Sequence, residues 1–371
     1  MAVAAAVIPI GLAQLDAPGR VRGVDLARGL AVLGMFAAHL LTIAPFDASD
    51  PETWIAVAQG RASILFAVLA GVAISLVTGG IRPAAGAALA NARRRLVVRA
   101  VLVWTIGALL IATGVPVFVI LPAYALLFLI AVPLLAMPRW ALWAIAAALA
   151  FVMPWVLPAL DALPVWQGVE GHDVALIVGW HYPFPLWSAF LIAGMALGRY
   201  ELRAPRTALS LAVGGALAIV AAGAASLLLA GVVSADADGY LSAVLSSEAH
   251  SGGLIEVIGS AGAAVVTIGG SQLICLGLAR APLPWAGWAT VPLRAVGAMP
   301  LTAYAGQLLA WAFWAQLALG DTGDLTGLRA LDPFWPFVLT TLALCTLWAL
   351  TFGRGPLERL VASAARLVAP R

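Results

Sequence analysis

At 371 residues, 63% hydrophobic and only 10% charged, the chain lies far from the composition of a soluble domain, where about a quarter of residues are charged. Its net charge of +3 is too dilute to imply a nucleic-acid partner, and its two cysteines, Cys275 and Cys345, both fall in apolar runs and give no footing for a disulfide framework. Apolar stretches of about 20 residues recur along the chain, the length a helix needs to cross a hydrocarbon core, and they are too long for barrel strands. The expected class is an all-α, polytopic integral membrane bundle.

In chain order, the first 14 residues, "MAVAAAVIPIGLAQ", are apolar but lack a basic start or a cleavage site. They read as part of an N-terminal leader, 1–23, ahead of a single membrane domain, 24–371. Runs and breakers then predict about ten transmembrane helices, at roughly 24–45, 55–78, 95–113, 116–136, 140–159, 183–200, 207–232, 254–278, 293–318 and 333–353. Before the third, "RPAAGAALANARRR" is amphipathic enough to lie along a membrane surface. If the N-terminus is cytoplasmic, arginines such as Arg20, Arg82, Arg139, Arg203 and Arg280 collect inside. Asp47, Glu52, Asp161, Glu170, Asp236 and Asp321 collect outside, with Arg329 nearly alone among them. Positive charge gathers on the cytoplasmic side of short loops, so ten spans with both termini cytoplasmic is the expected topology. Two outer loops, about 160–182 and 233–253, exceed what a connection needs. They hold His172, His181 and His250, and His39 sits near the outer end of the first span.

The first span, "RVRGVDLARGLAVLGMFAAHLL", carries ionisable groups that lipid cannot solvate, and such residues usually face a bundle interior. Asp25 and Arg28 are helical neighbours, and His39 follows Arg28 by close to three turns on the same face. Axial rise puts His39 about 16–21 Å from the pair. Gly29 permits close approach of a helix or a ligand. Two readings stay open: a working polar stripe, or an anchoring ion pair with His39 as interhelical glue. Arg61 and Ser63 lie in the outer half of the second span, where Arg61 is either a functional residue with Asp47, Asp50 or Glu52 as partner or a snorkelling anchor. His250 and Glu256 flank the start of the eighth, where Glu256 is either a proton carrier or a cap. Tyr304 and Gln307 lie three apart in the ninth. Arg93, Arg94, Arg95 and Arg99 either attract an anionic ligand or serve topology and lipid headgroups.

The first span resembles the first helix of the transmembrane acyltransferase superfamily that includes heparan-α-glucosaminide N-acetyltransferase, whose pattern is R-x-x-x-D-x-x-R-G with His or Asn fourteen residues after the Asp. Asp25, Arg28, Gly29 and His39 fit it, and Arg22 sits one residue out of register. Phe66 and Gly71 in "GRASILFAVLAGVAISLVTGG" are similar to its second segment. "GAMPLTAYAGQLL" and "FGRGPLERL" look like the bacterial DUF418-type branch. The chain departs from the pattern at Val119, where many relatives have Asp, and at Gln307, where they often have His.

The resemblance implies an acyltransferase-like part over 24–200 and a DUF418-like part over 207–371, in a bacterial cytoplasmic membrane. It implies transfer of an acyl group, acetyl foremost, from a cytoplasmic acyl-CoA (acetyl-CoA) to an extracytoplasmic sugar or small-molecule acceptor. His39 would be the base, with Asp25 and Arg28 in the catalytic set. Arg28, Arg93, Arg94 and Arg95 would hold the donor's phosphates, and Arg61, Ser63, His250, Glu256, Tyr304 and Gln307 the substrate. The bilayer is the remaining partner, and a homodimer is left open. No metal is expected, for there is no H-E-x-x-H or C-x-x-C; no P-loop supports a pump, and no G-x-S-x-G a serine hydrolase. The competing readings are a secondary transporter whose path is lined by Asp25, Arg28, His39, Arg61 and Glu256, although no inverted repeat is visible, and a non-catalytic membrane protein of the same family.

Overall fold

The computed structural model describes residues 14–17, 19–44, 46–47, 49–236, 239–283 and 285–369, so most of the predicted leader lies outside the described residues. Helix accounts for 77% of the described residues, and none of them is strand. Six helical segments are long and apolar enough to cross a membrane: Arg22–Leu40, Pro51–Val77, Arg139–Asp161, Pro205–Ser234, Leu254–Arg280 and Phe334–Thr351. The protein is therefore a multi-pass membrane protein. Side chains such as Leu217, Leu227, Leu228, Phe313 and Leu339 are exposed on the outer faces, a surface that suits lipid and would aggregate in water.

Every predicted span coincides with helix. The first is α1 (Arg22–Leu40), and the second is the 3₁₀ turn Pro51–Ala58 followed by α2 (Arg61–Val77). The third is α3 (Gly86–Ile111), which absorbs most of the amphipathic segment expected to lie apart. No proline or glycine interrupts the backbone between Gly86 and Gly107, so the arginine-bearing turns continue directly into the apolar ones. Then come α4 (Leu121–Leu134), α5 (Arg139–Asp161), the loop helix α6 (Gly168–Val178), α7 (Phe184–Leu197) and α8 (Pro205–Ser234). A short α9 (Tyr240–Val244) precedes α10 (Leu254–Arg280).

The ninth predicted span is two helices, α11 (Val291–Ala298) and α12 (Pro300–Leu319). Pro300 cannot continue the hydrogen-bond ladder of α11 but is suited to the first turn of α12. After α13 (Leu325–Ala330) and α14 (Phe334–Thr351), the chain ends its described part in the amphipathic α15 (Pro356–Val368). Glu358 of α15 reaches back to the break: its carboxylate accepts from Leu301 N (2.8 Å), Thr302 N (3.1 Å) and Thr302 Oγ1 (2.5 Å). Two sequence segments that carry the resemblance, "GAMPLTAY" and "GPLE", thus meet in one cap, which satisfies amides the start of a helix leaves bare.

The bundle is organised around α1, which touches α2, α10, α11, α12 and α14. Close approach of backbones drives such packing where lipid offers no hydrophobic gain. At the α1/α11 crossing, a Cβ on Gly29 would collide with Leu293 O and one on Gly297 with Asp25 O. Gly71 and Gly194 do the same reciprocally at α2/α7, and Gly215 and Gly262 at α8/α10. Gly29 therefore admits a helix, not a ligand.

Candidate functional site

The C-terminal end of α1 opens into a cavity of about 220 Å³. His39 lines it together with Ser63, His250 and Tyr304, four residues singled out by sequence, and with Gly60, Phe118, Tyr182 and Arg329. Each is set by its element. His39 lies in the last turn of α1, and its carbonyl accepts from Arg329 Nε (3.2 Å) and Nη2 (3.0 Å), which fastens α13 to this spot. Gly60 has φ 73° and turns the chain into α2, and Ser63 Oγ donates to Gly60 O at 2.8 Å. Tyr304 OH accepts from Ile120 N at 3.4 Å, and Tyr182 OH donates to Phe118 O at 3.0 Å.

Glu256 does not line the cavity. Its carboxylate accepts from His250 N (2.7 Å), Gly252 N (2.7 Å) and Ser251 Oγ (3.3 Å). His250 holds φ 65°, in the left-handed region an L side chain seldom visits, and this clamp keeps it there with its ring at the cavity. Of the two readings of Glu256, the cap matches these contacts. Burial holds the His250 imidazole below its usual range. His181 is lowered too, by burial and then by the neighbouring His172, so both rings are uncharged at pH 7.

The interior around His39 is unusual for its unmet polar groups. Buried atoms without a hydrogen-bond partner include His39 Nδ1, both amide atoms of Gln307, Tyr124 OH and Trp311 Nε1. Gln307 lies beside His39, and the rings of Tyr304 and Trp311 stand 6.3 and 6.5 Å from the His39 ring. Each buried polar group left unpaired costs about 1–3 kcal/mol, and of the residues bearing these unpaired atoms His39 alone lines the cavity.

Asp25 and Arg28 are not brought to this cavity. Asp25, 5% exposed, receives Arg20 Nε at 2.8 Å and Arg28 Nη1 at 3.2 Å, and the same Nη1 donates to Gly297 O at 2.9 Å. The pair ties α1 to α11. Arg20 escaped the sequence reading because it stands five residues before Asp25 and precedes the helix, outside the i,i+3/i+4 rule. One nitrogen, Nη1, meets both acceptors, and lysine at position 28 keeps the charge but not the guanidinium's reach and fixed planar geometry. Arg28→Lys is expected to lose about 1–2 kcal/mol of stability, read as a lower unfolding midpoint of the purified protein; an unchanged midpoint would make the tie dispensable.

Arg61 sits at the first residue of α2 with Glu256 in electrostatic reach, and does not line the cavity. Arg94 is exposed, Arg93 Nε is buried without a partner, and Arg95 lines a different cleft at the other end of the bundle. No group of three or more His, Cys, Asp or Glu side chains could hold a metal among the described residues. Sequence reasoning missed Tyr182, Phe118 and, as a site residue, Arg329; the last had a visible signal, being almost the sole outer cation.

Comparison with known families matches residues 20–229 to the model described as heparan-alpha-glucosaminide N-acetyltransferase, catalytic. Residues 214–367 match the one described as protein of unknown function (DUF418). No curated protein and no solved structure matches the chain.

Proposed function

We propose, because the chain belongs to the heparan-alpha-glucosaminide N-acetyltransferase catalytic family, that it is a membrane-embedded acyltransferase carrying an acyl group, acetyl foremost, from a cytoplasmic acyl-CoA to an extracytoplasmic sugar or related acceptor. The chain crosses a bacterial cytoplasmic membrane ten times with both termini inside. The observation that carries this reading is the 220 Å³ cavity where His39, Ser63, His250 and Tyr304 converge.

Acyl transfer needs a base for the acceptor and a donor for the oxyanion. The acceptor's hydroxyl or amine attacks the thioester carbonyl carbon while its proton passes to His39. The tetrahedral oxyanion accepts from the Tyr304 hydroxyl, whose oxygen is already fixed by Ile120 N. It collapses with cleavage of the C–S bond, and the departing CoA sulfur takes the proton back from His39. Uncharged His250, at the cavity wall, accepts a hydrogen bond from the acceptor substrate.

A second reading, a carrier, is favoured by one observation: cavities lie at both ends of α2, one at Ser63 and one at Thr78, about 22 Å apart by helical rise. Sealed vesicles of known orientation separate the two. Acyl transfer that requires acyl-CoA on the arginine-rich face and acceptor on the other supports the enzyme; solute flux without acyl-CoA affinity would replace it with the carrier.

A further inference from the structure

At the end of the bundle opposite His39, α3 and α15 run together, and with the last turns of α2 they enclose a second cavity of about 350 Å³. Four arginines line it, Arg95 and Arg99 from α3 and Arg354 and Arg366 from the start and end of the α15 region, and no acid does. The partners these arginines have are neutral: Arg95 Nε donates to Ala369 O (2.9 Å) and Arg366 Nη2 to Ser363 Oγ (3.0 Å). Arg99 and Arg354 feel each other's charge and form no hydrogen bond or ion pair through their side chains among the described residues. The nearby carboxylate, Glu358, has both oxygens engaged on the α12 N-terminus and Thr302. Four guanidinium groups around one partly apolar cleft repel each other, and an oxyanion with several acceptor oxygens relieves that repulsion while matching their planar forks.

We infer that this cleft seats a phosphate group, gripped by Arg99 and Arg354 with Arg95 and Arg366 at its rim. The phosphate comes either from the nucleotide half of an acyl-CoA, which rests on the acyl-transfer reading, or from an anionic phospholipid of the adjoining leaflet, which does not. Its residues come from both matched segments, α3 from the first and the α15 region from the second, so neither segment builds the site alone.

The test uses the full chain in phosphatidylcholine nanodiscs, with Arg99→Gln and Arg354→Gln as variants. Coenzyme A, pantetheine without phosphates, and phosphatidylglycerol doped into the disc are the probes, read by unfolding midpoint and by affinity. Coenzyme A or phosphatidylglycerol should raise the midpoint in a salt-sensitive way, and both variants should weaken that ligand about tenfold or more. Without ligand, the variants should unfold at the same temperature as the parent or higher, because a like charge has gone. A response to coenzyme A but not pantetheine assigns the phosphate to the donor. A response to phosphatidylglycerol alone assigns it to lipid, and leaves acyl transfer to be judged by the vesicle assay. Silence towards both probes, an undiminished response in both variants, or unliganded variants that unfold earlier would overturn the inference.

Discussion

His39→Ala should lower acyl transfer by about 10²–10⁴-fold while leaving acyl-CoA affinity close to that of the parent, the usual signature of a lost general base. The imidazole lines the cavity, while Gly29 and the buried apolar residues of α1 make most of its helix contacts. A folded, donor-binding, transfer-deficient protein is therefore the expected product. Transfer by the parent should also fall as the pH drops and the imidazole takes up a proton, because a protonated ring cannot accept the acceptor's proton. Turnover measured beside acyl-CoA affinity on one purified sample decides the matter. Equal turnover would remove His39 from the chemistry, and a protein that fails to fold would return the ring to interhelical glue.

The second large effect lies at the crossing of α1 and α11. Gly297→Val should destabilise the bundle by about 3 kcal/mol or more, because the added carbons meet backbone atoms that cannot swing aside, Asp25 O and Gly29 N. The same shift would pull Gly297 O away from Arg28 and loosen the buried Asp25. Removing contacts from a buried charge is among the costlier injuries a fold can suffer. Thermal unfolding and monodispersity in detergent measure it, and Gly306→Val, at a glycine with open space around it, is the control. A Gly297→Val midpoint equal to the control's would mean the two helices need no such proximity.

Much of the helical framework was legible because lipid imposes a simple demand: long apolar stretches, with arginines and acids sorted between their ends. The break at Met299 was not, since Pro300 in an apolar run reads as tolerated within a span, and only the distant Glu358 makes stopping there inexpensive. The acids illustrate the harder problem. Glu256 within an apolar helix looked equally able to carry protons and to cap, and only the three donors around its carboxylate separate the two. His39 was legible as one end of a stripe, whereas its neighbours Tyr182 and Arg329 come from loops whose course no periodicity records. The arginine cleft was half-visible: Arg95 and Arg99 stand out in sequence, but Arg354 and Arg366 arrive from the far end of the chain through tertiary packing.

The Glu358 cap also bears on the order in which the protein is made. Thr302 and its partner carboxylate are 56 residues apart, which at about 5–20 residues per second separates their synthesis by about 3–11 s. During that interval the first amides of α12 lack the acceptor that Glu358 later supplies, and a helix start has no intrahelical partner for them. The translocating machinery or bound water must shelter them until α15 arrives. A ribosome stalled between these two points should therefore hold a nascent bundle whose α11/α12 joint is still open to protease and to hydrogen exchange, and closure should register as a discrete late event in biogenesis.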